Sequence, residues 1–125
     1  MNYNKLFCFW ILLLFFSICA YAQSDNTKPT ANAGVDKTVQ VGEEVELEGS
    51  GYDADGDPLT FRWAVVFKPV GSKAELSDNN IPNPKFIADV EGGYMFNLRV
   101  NDGYSNSLPD TKLLGLEARL SMLFS

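Results

Sequence analysis

From Pro29 onward, apolar and polar residues alternate with a period of two. Val39 and Val41 alternate with polar neighbours, and Val45 and Leu47 do so within EEVELEG. In LTFRWAV, Leu59, Phe61, Trp63 and Val65 fall on one face; in YMFNLRV, Tyr94, Phe96, Leu98 and Val100 do. Strict alternation rich in aromatic and branched side chains predicts half-buried strands. Turn residues separate the runs at Gly42, Gly49 to Pro58, Pro69 to Ser72, Pro82 to Pro84, Gly92-Gly93 and Asn101 to Gly103. Many short strands with turn signals roughly every 8–12 residues indicate an all-β sandwich or barrel. No helix is expected before residue 110. In KLLGLEARLSMLFS, Leu114, Leu116, Ala118, Leu120, Met122 and Phe124 alternate, whereas Leu113, Leu116, Leu120 and Leu123 fit a helical stripe. A sandwich needs a last strand, which favours strand for Thr111 to Leu116 and leaves the rest open.

The N-terminus follows a different pattern. Lys5 precedes the apolar run Leu6 to Cys19, and Ala20-Tyr21-Ala22 ends it with small residues at the positions a signal peptidase reads. A charged start, a short apolar core and an A-x-A end make a secretory signal. A membrane anchor would need about 20 apolar residues, more than this run supplies. Lipidation of Cys19 is a poor match, because Phe16 and Ile18 occupy positions where lipoprotein signals want Leu and a small residue. The division expected is residues 1–22 signal peptide, 23–28 flexible leader, 29–112 sandwich and 113–125 atypical tail.

Export changes how the composition reads. Both cysteines, Cys8 and Cys19, leave with the signal, so burial and backbone hydrogen bonds alone must hold the sandwich. All 16 acidic residues remain and one of the 10 basic ones is lost. Nucleic acid is a poor partner for such a surface, which suits solubility and divalent cations better. The chain has no His, which removes Ser-His-Asp, Cys-His and His-zinc chemistry, and it has no phosphate-binding glycine loop. No catalytic residue is assigned.

Seven pieces in order resemble a bacterial polycystic-kidney-disease (PKD) repeat of secreted and surface proteins. They are ANAG-D from Ala31 to Asp36, VG at Val41-Gly42, L-GS from Leu47 to Ser50, and DADGDPL-F-W from Asp53 to Trp63. KP-GS-A-LS from Lys68 to Ser77, NP-F-AD from Asn83 to Asp89 and G-Y-F-L-VNDG from Gly93 to Gly103 complete the set. The resemblance covers residues 29 to 111 and implies an immunoglobulin-like β-sandwich of about seven strands. It implies that Trp63 sits in the core on the third strand. It also implies that Tyr94, opening the sixth, ties its hydroxyl to nearby backbone at a tyrosine corner. After PDT the chain departs from the usual alternating Thr/Val strand, which raises a truncated remnant of a multi-repeat protein as one alternative.

The remaining candidate chemistry is carboxylate. Asp53, Asp55 and Asp57 alternate in DADGD, and Asp102 lies in NDG. In an immunoglobulin-like sandwich the two loops that hold them share one end. Clustered carboxylates repel unless protons or a cation intervene, and Ca²⁺ takes 6–8 oxygen ligands. PKD repeats of some secreted collagenases bind Ca²⁺ through a similar loop with an Asn before the first Pro; by that resemblance the positions are Asn26, Asp53 and Asp55. Pro58 after Asp57 excludes an EF-hand. The competing reading is a plain turn, in which Asp side chains cap local N–H groups around Gly56. A glycosidase pair needs two carboxyls ~5–10 Å apart across a cleft, which Asp-rich turns on a small domain do not offer. Tyr52, Phe67 and Tyr104 are candidates for stacking on sugars, with loop packing favoured. The function expected is a non-catalytic module at the cell exterior (periplasmic, cell-surface or secreted). Its partner would be an extracellular protein or polysaccharide, or it would act as a spacer. A polysaccharide-binding accessory and a Ca²⁺-stiffened element are the alternatives; no cofactor other than Ca²⁺ is implied.

Overall fold

The computed structural model describes residues 25–115. Expectations for the signal peptide, and for the tail beyond Gly115, lie outside the described residues. Seven strands follow one another: β1 (Thr30–Asn32), β2 (Glu44–Glu46), β3 (Ser50–Tyr52), β4 (Thr60–Phe67), β5 (Lys85–Ile87), β6 (Tyr94–Asn101) and β7 (Asp110–Leu114). No helix occurs among the described residues.

The longest ladder is the antiparallel sheet β4-β6-β7. Opposite it, β2 pairs with β5, and β1 pairs with β3. The β2–β5 ladder runs on past its named residues, because Leu47 N–H donates to the Pro84 carbonyl and Gly49 N–H to the Pro82 carbonyl, both at 2.9 Å. Strands β2 and β3 are therefore one path broken at Leu47–Gly49. That break makes the Trp63 strand the fourth rather than the third.

The core lies between the two layers. Tyr94, Phe96, Leu98 and Val100 from β6 are all buried, while Met95, Asn97 and Arg99 between them are not. Leu47 and Phe86 close it from the other layer, and Phe86 meets Tyr94 and Phe96 edge-on with ring centroids at 4.9 Å. Such arrangements satisfy the ring quadrupoles as well as burying area. Trp63 is buried, and its indole N–H donates to the Pro82 carbonyl at 3.2 Å. The fit beside it requires Gly49: a Cβ there would lie 2.6 Å from the Pro82 oxygen and 2.7 Å from the Trp63 ring.

Two expectations fail at the edges of the pattern. Val39 and Val41 lie in no strand, and Val41 is exposed. The preceding segment is pinned to β7 instead: Asp36 accepts from Leu113 N–H at 2.9 Å, and Lys37 N–H donates to the Leu113 carbonyl at 3.1 Å. Gly42 N–H then donates to the Ala88 carbonyl at 2.8 Å, so the chain crosses between layers where a strand was expected. Val65 continues the inward face of β4 in sequence but is partly exposed, because the register shifts between Val65 and Phe67. A bulge of this kind re-aims the side chains around it. Val66 and Phe67 face solvent beyond it.

Candidate functional site

The Asp53–Asp57 loop joins β3 to β4, and Asp102 directly follows β6. The sandwich puts both at one end. Within the loop, Gly56 adopts φ +76° and its N–H donates to the Asp53 carbonyl at 3.2 Å. Asp57 N–H donates to Asp53 Oδ2 at 2.8 Å. This is the local Asp-capped turn that the composition suggests. It does not use the whole Asp53 side chain: Oδ1 is buried and has no hydrogen-bond partner.

The neighbouring carboxylates of the loop lie close to Asp53. Asp53, Asp55 and Asp57 each offer a ligand oxygen within 4.8 Å of the others. Oxygens on one Ca²⁺, each ~2.3–2.6 Å from the ion, lie at most about twice that distance apart. The leader is tied in from two directions. Thr27 N–H donates to Asp55 Oδ2 at 2.7 Å, and the Asn26 amide donates to Asp102 Oδ2 at 2.8 Å and to the Ser105 hydroxyl at 3.1 Å. Asn26, Asp53, Asp55, Asp57 and Asp102 thus gather at one end of the fold.

The electrostatics divide the group. Burial, followed by the charges of Asp53, Asp55 and Asp102, pushes the Asp57 carboxyl above its ordinary value. Burial pushes Asp102 upward too, but donors from Asn26, Ser105 and Tyr104 outweigh it and hold the group at about 2. Tyr104 and Ser105 N–H groups reach its Oδ1 at 2.8 and 2.6 Å. Asp102 is therefore ionised and satisfied, whereas the DADGD loop holds net repulsion and an unpaired acceptor. Its oxygen-only donors and buried orphan oxygen fit a hard cation.

A second carboxylate sits at the opposite corner. Asp89 accepts from the Ser72 hydroxyl at 2.5 Å and from Lys73 N–H at 2.7 Å, with the Tyr94 hydroxyl 3.1 Å away. These bonds, Ser72's foremost, lower it to about 2. The buried Tyr94 hydroxyl also accepts from Val90 N–H at 3.0 Å and lies 2.7 Å from the Val90 carbonyl. Tyr52, Phe67 and Tyr104, for which loop packing was favoured, are exposed instead. Phe67 ends β4 at the register shift, Tyr52 ends the short β3 strand, and Tyr104 lies at a tip where its N–H donates to Asp102.

The profile of the K319L-like PKD domain family matches residues 33–112. The chain belongs to that family. The solution structure of the PKD domain from human KIAA0319 is 14% identical, with a TM-score of 0.59 over 76% of this chain and 86% of that one. The solution structure of the PKD domain from the KIAA 1837 protein is 25% identical, with a TM-score of 0.50 over 75% and 89%. A crystal structure of the SrpA adhesin from Streptococcus sanguinis is 17% identical, with a TM-score of 0.50 over 74% of this chain and 59% of that chain. A search of curated protein sequences finds no match. The PKD fold is all-β and immunoglobulin-like, as the motif order implied.

Two residues that organise this PKD domain drew no notice in the sequence. Lys112 is fully buried, and its ammonium donates to the Val35 carbonyl at 2.7 Å. Burial lowers its pKa, Lys37 adds to this, and Glu48 and Asp36 oppose it. The available signal was phase, since Lys112 is two residues before the buried Leu114 on the same strand face. Asp110, which accepts from Ala33 N–H at 2.7 Å, shares that phase two residues earlier.

Proposed function

We propose that this PKD domain is an exported, non-catalytic structural and interaction module whose DADGD end binds Ca²⁺. The reading rests chiefly on one observation, that Asp53 Oδ1 is buried without a hydrogen-bond donor, and Asp53, Asp55 and Asp57 offer ligand oxygens within 4.8 Å of one another. A buried acceptor left unpaired costs free energy, and a cation supplies what no N–H in the loop supplies. Asp53, Asp55 and Asp57 are the core ligands, with Asn26 and Asp102 beside them. When bound, the ion would neutralise the loop and clamp the leader, the β3–β4 loop and the β6–β7 loop together. Such stiffening suits a domain that lacks disulfides and presents surfaces outside the cell to a protein or glycan.

Thermal denaturation of chelator-treated protein tests this. Millimolar Ca²⁺ should raise the Tm, and equal Mg²⁺ should raise it less, because Mg²⁺ demands a more ideal octahedron and gives up water reluctantly. An unchanged Tm in Ca²⁺ overturns the metal assignment. A hydrolytic activity abolished by substituting Asp55 or Asp102 overturns the non-catalytic one.

A further inference from the structure

The solvent face of β4-β6-β7 carries the opposite charge. Phe61 pairs with Val100 and Trp63 with Leu98, on the inward side. Arg62 and Arg99, the register partners between those pairs, therefore stand directly opposite each other on the outer face. Side chains so placed have Cβ atoms ~4.5–5.5 Å apart, and like charges there repel. A chain with 16 acidic residues had ample means to separate or neutralise them. Lys37 and Lys85 do pair, with Glu48 and Glu44 at 3.1 Å, but no carboxylate among the described residues lies within bridging distance of either arginine.

Both arginines line a groove of about 640 Å³, along with Thr60, Asn80, Asn101 and Asn106; Phe61 and Val100 also border it. Guanidinium groups match carboxylate and sulfate oxygens with a planar fork, and amides both donate to and accept from hydroxyls. We propose that this groove binds an acidic polysaccharide, with Arg62 and Arg99 holding anionic groups and the asparagines holding sugar hydroxyls. Charge opposite charge offsets the repulsion between the two strands. An acidic peptide fits less well, because the apolar residues bordering the groove, Phe61 and Val100, pack into the core and leave no apolar pocket for alternate side chains. The inference rests on the reading of the domain as an exterior interaction module, and not on Ca²⁺.

Affinity electrophoresis of the whole chain tests it, in gels containing polygalacturonate, dextran sulfate, unmodified dextran or poly-L-glutamate. Retardation is expected in polygalacturonate or dextran sulfate, and which of the two acts tells carboxylate from sulfate recognition. It should weaken with salt and be absent in dextran. The double variant Arg62→Gln/Arg99→Gln should lose at least tenfold in affinity. Its Tm should match or exceed the parent's, since it removes an exposed like-charge pair; if it does not fold, Arg99→Gln alone carries the test. No retardation by either acidic polysaccharide, or equal retardation of the variant, overturns the proposal. Equal retardation in poly-L-glutamate replaces the glycan with an acidic peptide. A Ca²⁺-induced rise in Tm without retardation removes the groove and leaves the metal-stiffened module standing.

Discussion

Asp89 and Asp53 are both turn carboxylates of one small sandwich, and the fold treats them differently. Asp89 accepts from a hydroxyl and a backbone N–H, lies within reach of a phenol, and is held at about 2. Asp53 is more deeply buried, yet only one of its oxygens has a donor. The first corner is complete with protein atoms alone. The second gathers further carboxylates where donors would be needed, and the proposed Ca²⁺ site rests on that difference.

The comparison breaks first, and most visibly, in the response to metal. A site filled at a hundred times its Kd stabilises by ~2.7 kcal/mol. For a domain this size that is a rise of about 10–20 °C in Tm. Asp53→Asn should abolish most of the rise, while Asp89→Asn should leave it intact; thermal melts of both variants with and without Ca²⁺ decide it. Next in size is Tyr94→Phe. It strips the Val90 N–H and carbonyl of their partner and should cost about 1–2 kcal/mol in urea denaturation, independent of Ca²⁺.

The pH dependence is a smaller and more specific contrast. Asp89 and Asp102 both have folded values near 2, below the ordinary 3.8. The stability they contribute is complete above pH ~4 and is lost as pH falls from there toward 2. Asp57 is raised, so its contribution has the opposite sign: present at low pH and lost as pH rises through its shifted value. Urea midpoints between pH 2 and 5 should therefore fall toward acid, and Asp89→Asn should flatten the fall. A flat profile in the parent removes the claim that these carboxylates are ionised and satisfied. The smallest effect expected is that of Asp57→Asn, a slight gain in Tm without Ca²⁺ and a reduced rise with it.

How much of this was legible depended on where the information lay. Strands β4 and β6 are eight residues each, long enough for alternation to declare their inward faces. Strands β1 and β3 are three residues each, TAN and SGY, held by backbone pairing that no side-chain pattern announces. The Val39–Val41 alternation was outweighed by the pinning of Asp36 and Lys37 on β7, a tertiary contact. The β4 bulge left Val65 off its expected face. The carboxylate cluster was legible in DADGD because its members are close in sequence. The unpaired Asp53 oxygen was not, because it depends on which atom Asp57 N–H reaches. Likewise Arg62 and Arg99 are 37 positions apart, and only the β4–β6 register sets them face to face.

The central claim is that the DADGD end is a cation site and not merely a capped turn. Isothermal titration of the chelator-treated chain with Ca²⁺ at neutral pH tests it most directly. The account predicts saturable heat with one ion per chain, lost in Asp53→Asn and retained in Asp89→Asn. No heat up to millimolar Ca²⁺, or a response that Asp53→Asn leaves unchanged, would contradict it.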